Sequence, residues 1–227
     1  MIPKIVKDKL KFEYSASLNE AECSFLQKMK GQKIAGLMFQ QLKMVDIKKQ
    51  YFTCYGPLAF KYFNSELNKW CYTIIYSLFN EINGPIVDQG AMFIKYHDAN
   101  YNHNSSQIYV PTIMETYKNE INLGNENLEG IQIFGNHFIG NAKDYDPYLN
   151  LEFLEKNYNF EVMPTLNLSS LEFLLFTFDT FTLSVQLDYN EMNLKVLPRN
   201  FTIDSEFTEK YFFEIESKNE IKQMYEF

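Results

Sequence analysis

A strict alternation of apolar and polar residues late in the chain constrains the fold more than any other feature of the sequence. The two sets are Phe181, Leu183, Val185, Leu187 and Tyr189 against Thr182, Ser184, Gln186 and Asp188. A period of two predicts a strand with one face on a core and the other in water. A sheet with one wet face is expected to be antiparallel rather than doubly wound. We expect its hairpin partner at residues 194–197.

A helical period dominates the N-terminal half. Apolar residues recur at three- and four-residue spacing through residues 57–82, which predicts a central core helix ending at Gly84. The pattern Ser17-x-x-Glu20 predicts a capped helix up to Gly31. Residues 34–49 are predicted to form a second helix, and residues 169–178 a later one.

Helices first, followed by strands mixed with helices, is the order of an α+β protein. We predict N-terminal helices packed on a mainly antiparallel sheet formed by the C-terminal half. Residues 91–96 and 107–110 are predicted strands, and residues 131–139 a tight hairpin about Gly135-Asn136. The preferred organisation is a single α+β domain, 1–227. The alternative is a helical subdomain, 1–85, followed by a sheet subdomain, 86–227.

Composition narrows the functional classes. The net charge is −8, and Arg199 is the only arginine among 21 basic residues, so the sequence argues against nucleic acid as a partner. No apolar run has the length of a membrane span. Three scattered cysteines without a CxxC spacing fit a reducing compartment, so a cytoplasmic location is expected. The acidic balance favours a basic protein as partner.

One polar segment, residues 96–109, holds two of the three histidines. His97, Asp98 and His103 have the residue types of a two-histidine, one-carboxylate site for a divalent transition metal, and His137 is a potential additional ligand. Surface histidines in an asparagine-rich loop are the alternative interpretation. Cys54 is a further hypothesis, a reactive thiol activated at the start of a helix.

Tyrosines and acidic residues suggest a partner-binding surface instead. The predicted set is Tyr96, Tyr101, Tyr109, Glu115, Tyr117 and Glu120. Tyrosine is favoured at interfaces because its ring buries area while its hydroxyl stays paired. The sequence therefore favours an acidic cytoplasmic protein-binding module that needs no cofactor, with an immunity- or antitoxin-like neutraliser of a basic effector as its first form. The alternatives are a metal-dependent enzyme of unknown substrate and a protein that self-assembles through a sheet edge.

Overall fold

The computed structural model describes residues 4–8, 10–46, 51–78, 91–98, 119–145, 147–148, 150–188, 191–201 and 220–227. These residues form eleven strands and three helices. The strands are β1 Lys4–Lys7, β2 Lys11–Ser15, β3 Lys33–Asp46, β4 Tyr51–Asn64, β5 Lys69–Leu78, β6 Ala91–Asp98, β7 Asn119–Asn141, β8 Thr165–Phe178, β9 Phe181–Asp188, β10 Glu191–Pro198 and β11 Glu220–Glu226. The helices are α1 Glu20–Met29, α2 Ala142–Tyr145 and α3 Leu151–Tyr158. The described part of the protein is therefore mostly β.

Six of the strands form a closed hydrogen-bonded circuit. Its order is β8-β9-β10-β4-β3-β7, and β7 returns to pair with β8. β5 and β6 extend from β4, β2 and β1 extend from β8, and β11 extends from β7. Every pairing among the described strands is antiparallel except that of β2 with β8. These pairings join all eleven strands into one continuous hydrogen-bonded network.

The long strands bend because they change partners along their length. β4 pairs with β10 through residues 51–55 and with β5 through residues 58–64, and Gly56, with φ of 75°, lies between the two segments. β7 pairs with β3 through residues 119–127 and with β8 through residues 128–141, and Gly124 and Asn125, which also have positive φ, interrupt the first segment. Such interruptions raise the local twist, and one strand then pairs with different neighbours along its length.

The hydrophobic core is rich in aromatic residues. The rings of Phe60 on β4 and Phe176 on β8 lie 4.4 Å apart between centroids. Helix α1 contributes Leu26 and Met29, both fully buried. Its N-terminus is closed by a capping box: the Asn19 side chain accepts from Glu22 N at 2.9 Å, and Asn19 N donates to the Glu22 carboxylate at 2.9 Å. The capping box is thus two residues beyond the predicted Ser17–Glu20 pair.

The predicted fold class is wrong, because the described part of the N-terminal half consists mainly of strands, with α1 as its one helix, rather than of helices packed on a sheet. The predicted helices at 34–49 and 57–82 fall on β3, β4 and β5, and the one at 169–178 falls within β8. The predicted hairpin at 131–139 is the middle of β7. Strands covered on both sides carry apolar residues almost continuously, and such a run can imitate helical spacing.

The strands β6, β9 and β10 confirm the predictions at 91–96, 181–189 and 194–197. The predicted wet face of β9 is wrong, since Thr182 and Ser184 are buried. The strand predicted at 107–110 lies outside the described residues. The number of domains stays a prediction.

Candidate functional site

Three of the four predicted metal ligands, His97, Asp98 and His137, lie in described strands. His97 and Asp98 are consecutive residues of β6, opposite Tyr72 and Cys71 of β5, and His103 lies outside the described residues. His137 is on β7, a strand that is not hydrogen-bonded to β6. No group of three or more His, Cys, Asp or Glu side chains suited to a metal ion occurs among the described residues. The metal site stays a prediction.

Of the predicted partner-binding residues, only Glu120 has a described side chain. Its carboxylate accepts from Lys61 Nζ at 3.0 and 3.2 Å, and the same ammonium lies 5.1 Å from the ring centroid of Trp70. Tyr96 lies in β6, whereas the others fall outside the described residues: Tyr101, Tyr109, Glu115 and Tyr117. The negative charge of Glu120 is therefore balanced locally, and the predicted set stays a prediction.

Next to Glu120, the β4–β5 turn exposes apolar side chains. Phe63, Leu67 and Trp70 are all exposed, and the rings of Phe63 and Trp70 meet edge to face at 5.6 Å. We call these three residues the turn surface. This surface is apolar, and the neighbouring ion pair of Lys61 and Glu120 carries no net charge.

A second exposed surface lies on the connection between β7 and β8, which we call the 142–164 excursion. β7 and β8 pair antiparallel up to Asn141 and Thr165, so a tight turn would suffice to join them. The chain instead leaves the sheet, forms α2 and α3, and returns to the same point. Ala142 N donates to Pro164 O at 3.0 Å and closes the base. A hairpin loop usually has about two to five residues, so this connection is far longer than the turn that it replaces.

The inner side of the excursion is held firmly by the core. Leu154 and Phe160 are fully buried there. Asn150 caps the N-terminus of α3 by accepting from Glu152 N at 2.9 Å, and Asn159, in the left-handed region, ends the helix. Helix α3 is thus anchored to the core and capped at both ends.

The outer side of the excursion combines aromatic and acidic residues. Tyr148 is 94% exposed, Phe153 51% and Val162 46%. Glu152 and Glu155 on α3 are exposed beside them. Over residues 142–164 the sequence holds five acidic residues and two lysines, a net charge of −3. Exposed aromatic residues on an acidic platform suit contact with a cationic protein surface.

A polar groove of about 450 Å³ crosses the outer face of four neighbouring strands, β2, β8, β7 and β11. We call it the four-strand groove. Ser15, Ser169 and His137 form one row across it, because Ser169 pairs with Ser15 on one side and with His137 on the other. The remaining lining residues are Glu13, Tyr14, Asn167, Lys222 and Met224.

The cysteines do not support the hypothesis of a reactive thiol at residue 54. Cys54 lies inside β4 rather than before a helix, and burial raises the pKa of its thiol to about 12. A raised pKa lowers the thiolate fraction at neutral pH, so Cys54 is expected to be inert.

Sequence reasoning missed both the 142–164 excursion and the four-strand groove. Acidic and aromatic residues alternate near Glu152 and Phe153 in the sequence. No sequence feature, however, shows that a much shorter connection could join the two strands. Ser169 falls in the segment predicted as a helix, 169–178, and Asn167 precedes that segment without any local signal of a binding site. A groove built across four strands has no local sequence signature.

No family model, curated protein or solved structure matches the chain. None of the helices within the described ranges combines the length and apolar character needed to cross a membrane.

Proposed function

We propose that the protein binds a basic protein partner through the outer side of the 142–164 excursion. The observation that carries this proposal is the excursion itself, a firmly anchored connection that topology does not require and that exposes Tyr148, Phe153 and Val162 among acidic side chains. An immunity- or antitoxin-like neutralisation of a basic effector is the form that we propose for this binding.

Charge favours the excursion over the turn surface for a cationic partner. At the turn surface Lys61 neutralises Glu120, whereas acidic residues outnumber lysines five to two in the excursion. The net charge of −8 attracts a cationic protein at long range. The aromatic side chains of the excursion then supply the desolvated contact that most interfaces depend on.

The experiment is affinity capture from the organism that encodes the chain, followed by calorimetry with the purified captured protein. The key variants are Phe153→Ala and Glu155→Lys, with Phe63→Ala and Glu66→Lys on the turn side as matched controls. Phe153 and Phe63 have similar exposure, and both glutamates are exposed. Glu155 is preferred to Glu152 because a lysine in the first turn of α3 would itself weaken the helix.

The proposal requires a basic partner whose affinity falls with salt. Phe153→Ala should weaken binding by about 2 kcal/mol, close to thirtyfold, as for an interface hot spot. Glu155→Lys should weaken it and flatten its salt dependence, whereas both control variants should bind like the wild type. Loss of binding in the control variants but not in the excursion variants would refute the proposal. Lysozyme, a generic cationic protein, gives the baseline of non-specific attraction.

The metal-dependent enzyme is the alternative function, and it has its own test. Thermal unfolding with Mn²⁺, Fe²⁺ and Zn²⁺ would show a metal-specific rise in melting temperature that His103→Ala abolishes. A melting temperature that no metal changes in either protein would remove this alternative.

A further inference from the structure

We propose that the four-strand groove binds a small organic anion that also carries hydroxyl groups. This site is separate from the surface proposed for the protein partner, and it involves none of the exposed side chains of the excursion. Its volume of about 450 Å³ lies in the range of small-molecule sites.

The shape of the groove follows from strand register. Ser15, Ser169 and His137 stand opposite one another on β2, β8 and β7. Neighbouring strands are about 4.8 Å apart, so this row spans about 10 Å. Asn167 lies two residues before Ser169 and pairs with Glu13, which adds a second polar row beside the first. Lys222 on β11 lies at the far side, opposite Gly135.

The chemistry of the lining favours an anion. Lys222, His137 and Asn167 can donate hydrogen bonds, as can the hydroxyls of Ser15 and Ser169. Glu13 is the sole carboxylate among the described side chains that line the groove, and its Oε1 already accepts from Lys11 Nζ at 3.1 Å. Lys222 on β11 and Glu13 on β2 therefore lie on opposite sides of the groove, with donors from β7 and β8 between them.

The same lining explains why the anion should carry hydroxyl groups. Serine hydroxyls both donate and accept, and the Asn167 amide does the same with its two ends. Glu13 can accept from a ligand hydroxyl through its carboxylate. A phosphate or carboxylate group beside Lys222 and His137, with hydroxyls extending toward Glu13, would use every polar residue of the groove. Sugar phosphates and sugar acids share this chemistry.

NMR titration tests the site, with the imidazole signals of His137 as the local probe. The chain has three histidines, so His137→Gln identifies these signals. The titrants are glucose 6-phosphate, gluconate, inorganic phosphate and neutral glucose. At least one of the two hydroxylated anions should shift the His137 signals saturably, and the tighter one identifies whether phosphate or carboxylate is preferred. Phosphate and glucose alone should bind at least about tenfold more weakly, because each lacks one of the recognised groups.

Variants separate recognition from general attraction. Lys222→Ala should weaken the tighter anion about tenfold or more, the effect of losing one charge-assisted hydrogen bond. Ser169→Ala should weaken it less, and Lys30→Ala, which removes an exposed charge after α1, should leave it unchanged. The proposal is overturned if neither anion shifts His137, if phosphate alone binds as tightly, if glucose alone binds as tightly, or if Lys222→Ala behaves like Lys30→Ala.

Discussion

Two connections between neighbouring antiparallel strands differ greatly in length. β8 and β9 are joined through Asp179 and Thr180 alone, whereas β7 and β8 are joined by the 142–164 excursion. Both connections reverse the chain direction between two strands that pair antiparallel with each other. The shorter one shows what the fold needs, so the exposed part of the longer one is available for another role. The excursion is nevertheless part of the core, since its inner side chains are buried with those of the sheets.

The two sides of α3 should respond very differently to truncation. Leu154→Ala removes a fully buried side chain and should lower the free energy of unfolding by about 2–5 kcal/mol. Phe153→Ala, one residue earlier and half exposed, should change it by less than about 0.5 kcal/mol. Urea denaturation of both variants measures the difference. Equal effects would mean that the excursion does not divide into an anchored side and an available side.

Substitutions within the strands should lower stability more than substitutions on the exposed side of the 142–164 excursion. A Cβ at Gly36 would lie 2.9 Å from Ile121 O on the neighbouring strand, so Gly36→Ala should force β3 and β7 apart at a cost of about 1–3 kcal/mol. Gly130→Ala is the matched control, because its Cβ would meet no atom closer than 3.9 Å. We expect that variant to keep or slightly raise stability. Similar melting temperatures for the two variants would contradict the close approach of β3 and β7.

Alkaline pH should destabilise the scaffold through Cys54 and Tyr62. Burial raises the pKa of each group to about 12, from ordinary values of 9.0 and 10.0. Above pH 9 the unfolded chain therefore loses protons that the native state keeps, and the free energy of unfolding falls until pH reaches about 12. The slope should be on the order of 1 kcal/mol per pH unit for each group.

The variants Cys54→Ala and Tyr62→Phe should each reduce that slope in denaturant titrations between pH 8 and pH 11. The comparison uses the change with pH in each variant, so a loss of packing that is equal at every pH does not affect it. Slopes identical to that of the wild type would show that these two groups do not cause the alkaline loss.

Removal of the helix caps should change the free energy of unfolding least. The caps of α3 and of the N-terminal helix α1 allow the two regions to be compared. Asn150→Ala removes the cap of α3 and should cost about 0.5–1 kcal/mol, whereas Asn19→Ala also disrupts the capping box with buried Glu22 and should cost about 1–2 kcal/mol. Thermal denaturation followed by circular dichroism measures both. A larger loss of stability for Asn150→Ala than for Asn19→Ala would indicate that α3 contributes more to the stability of the fold than its short length suggests.

The parts of the fold that could be read from the sequence are those whose pattern is local. The hairpin of β9 and β10 was predicted because alternation through Phe181 and Val185 continues up to a turn. Residues 57–82 were misread because Phe60, Phe63, Leu67 and Ile74 happen to fit a helical period. The abundance of aromatic residues there is typical of strands.

The sites were less predictable than the strands because they depend on long-range register. Ser15 and His137 are far apart in sequence, and both become part of the groove because each pairs with Ser169. The excursion is recognisable as an excursion only once Asn141 and Thr165 are known to be partners. Neither fact follows from the spacing of residues along the chain.

The most direct test of the central proposal is amide hydrogen exchange of the protein with and without its captured basic partner. Binding through the 142–164 excursion predicts slower exchange across α3 and the residues flanking it, while the β4–β5 turn stays unchanged. Protection confined to the turn around Phe63 and Trp70, with α3 exchanging as in the free protein, would contradict the proposal and assign the interface to the turn surface.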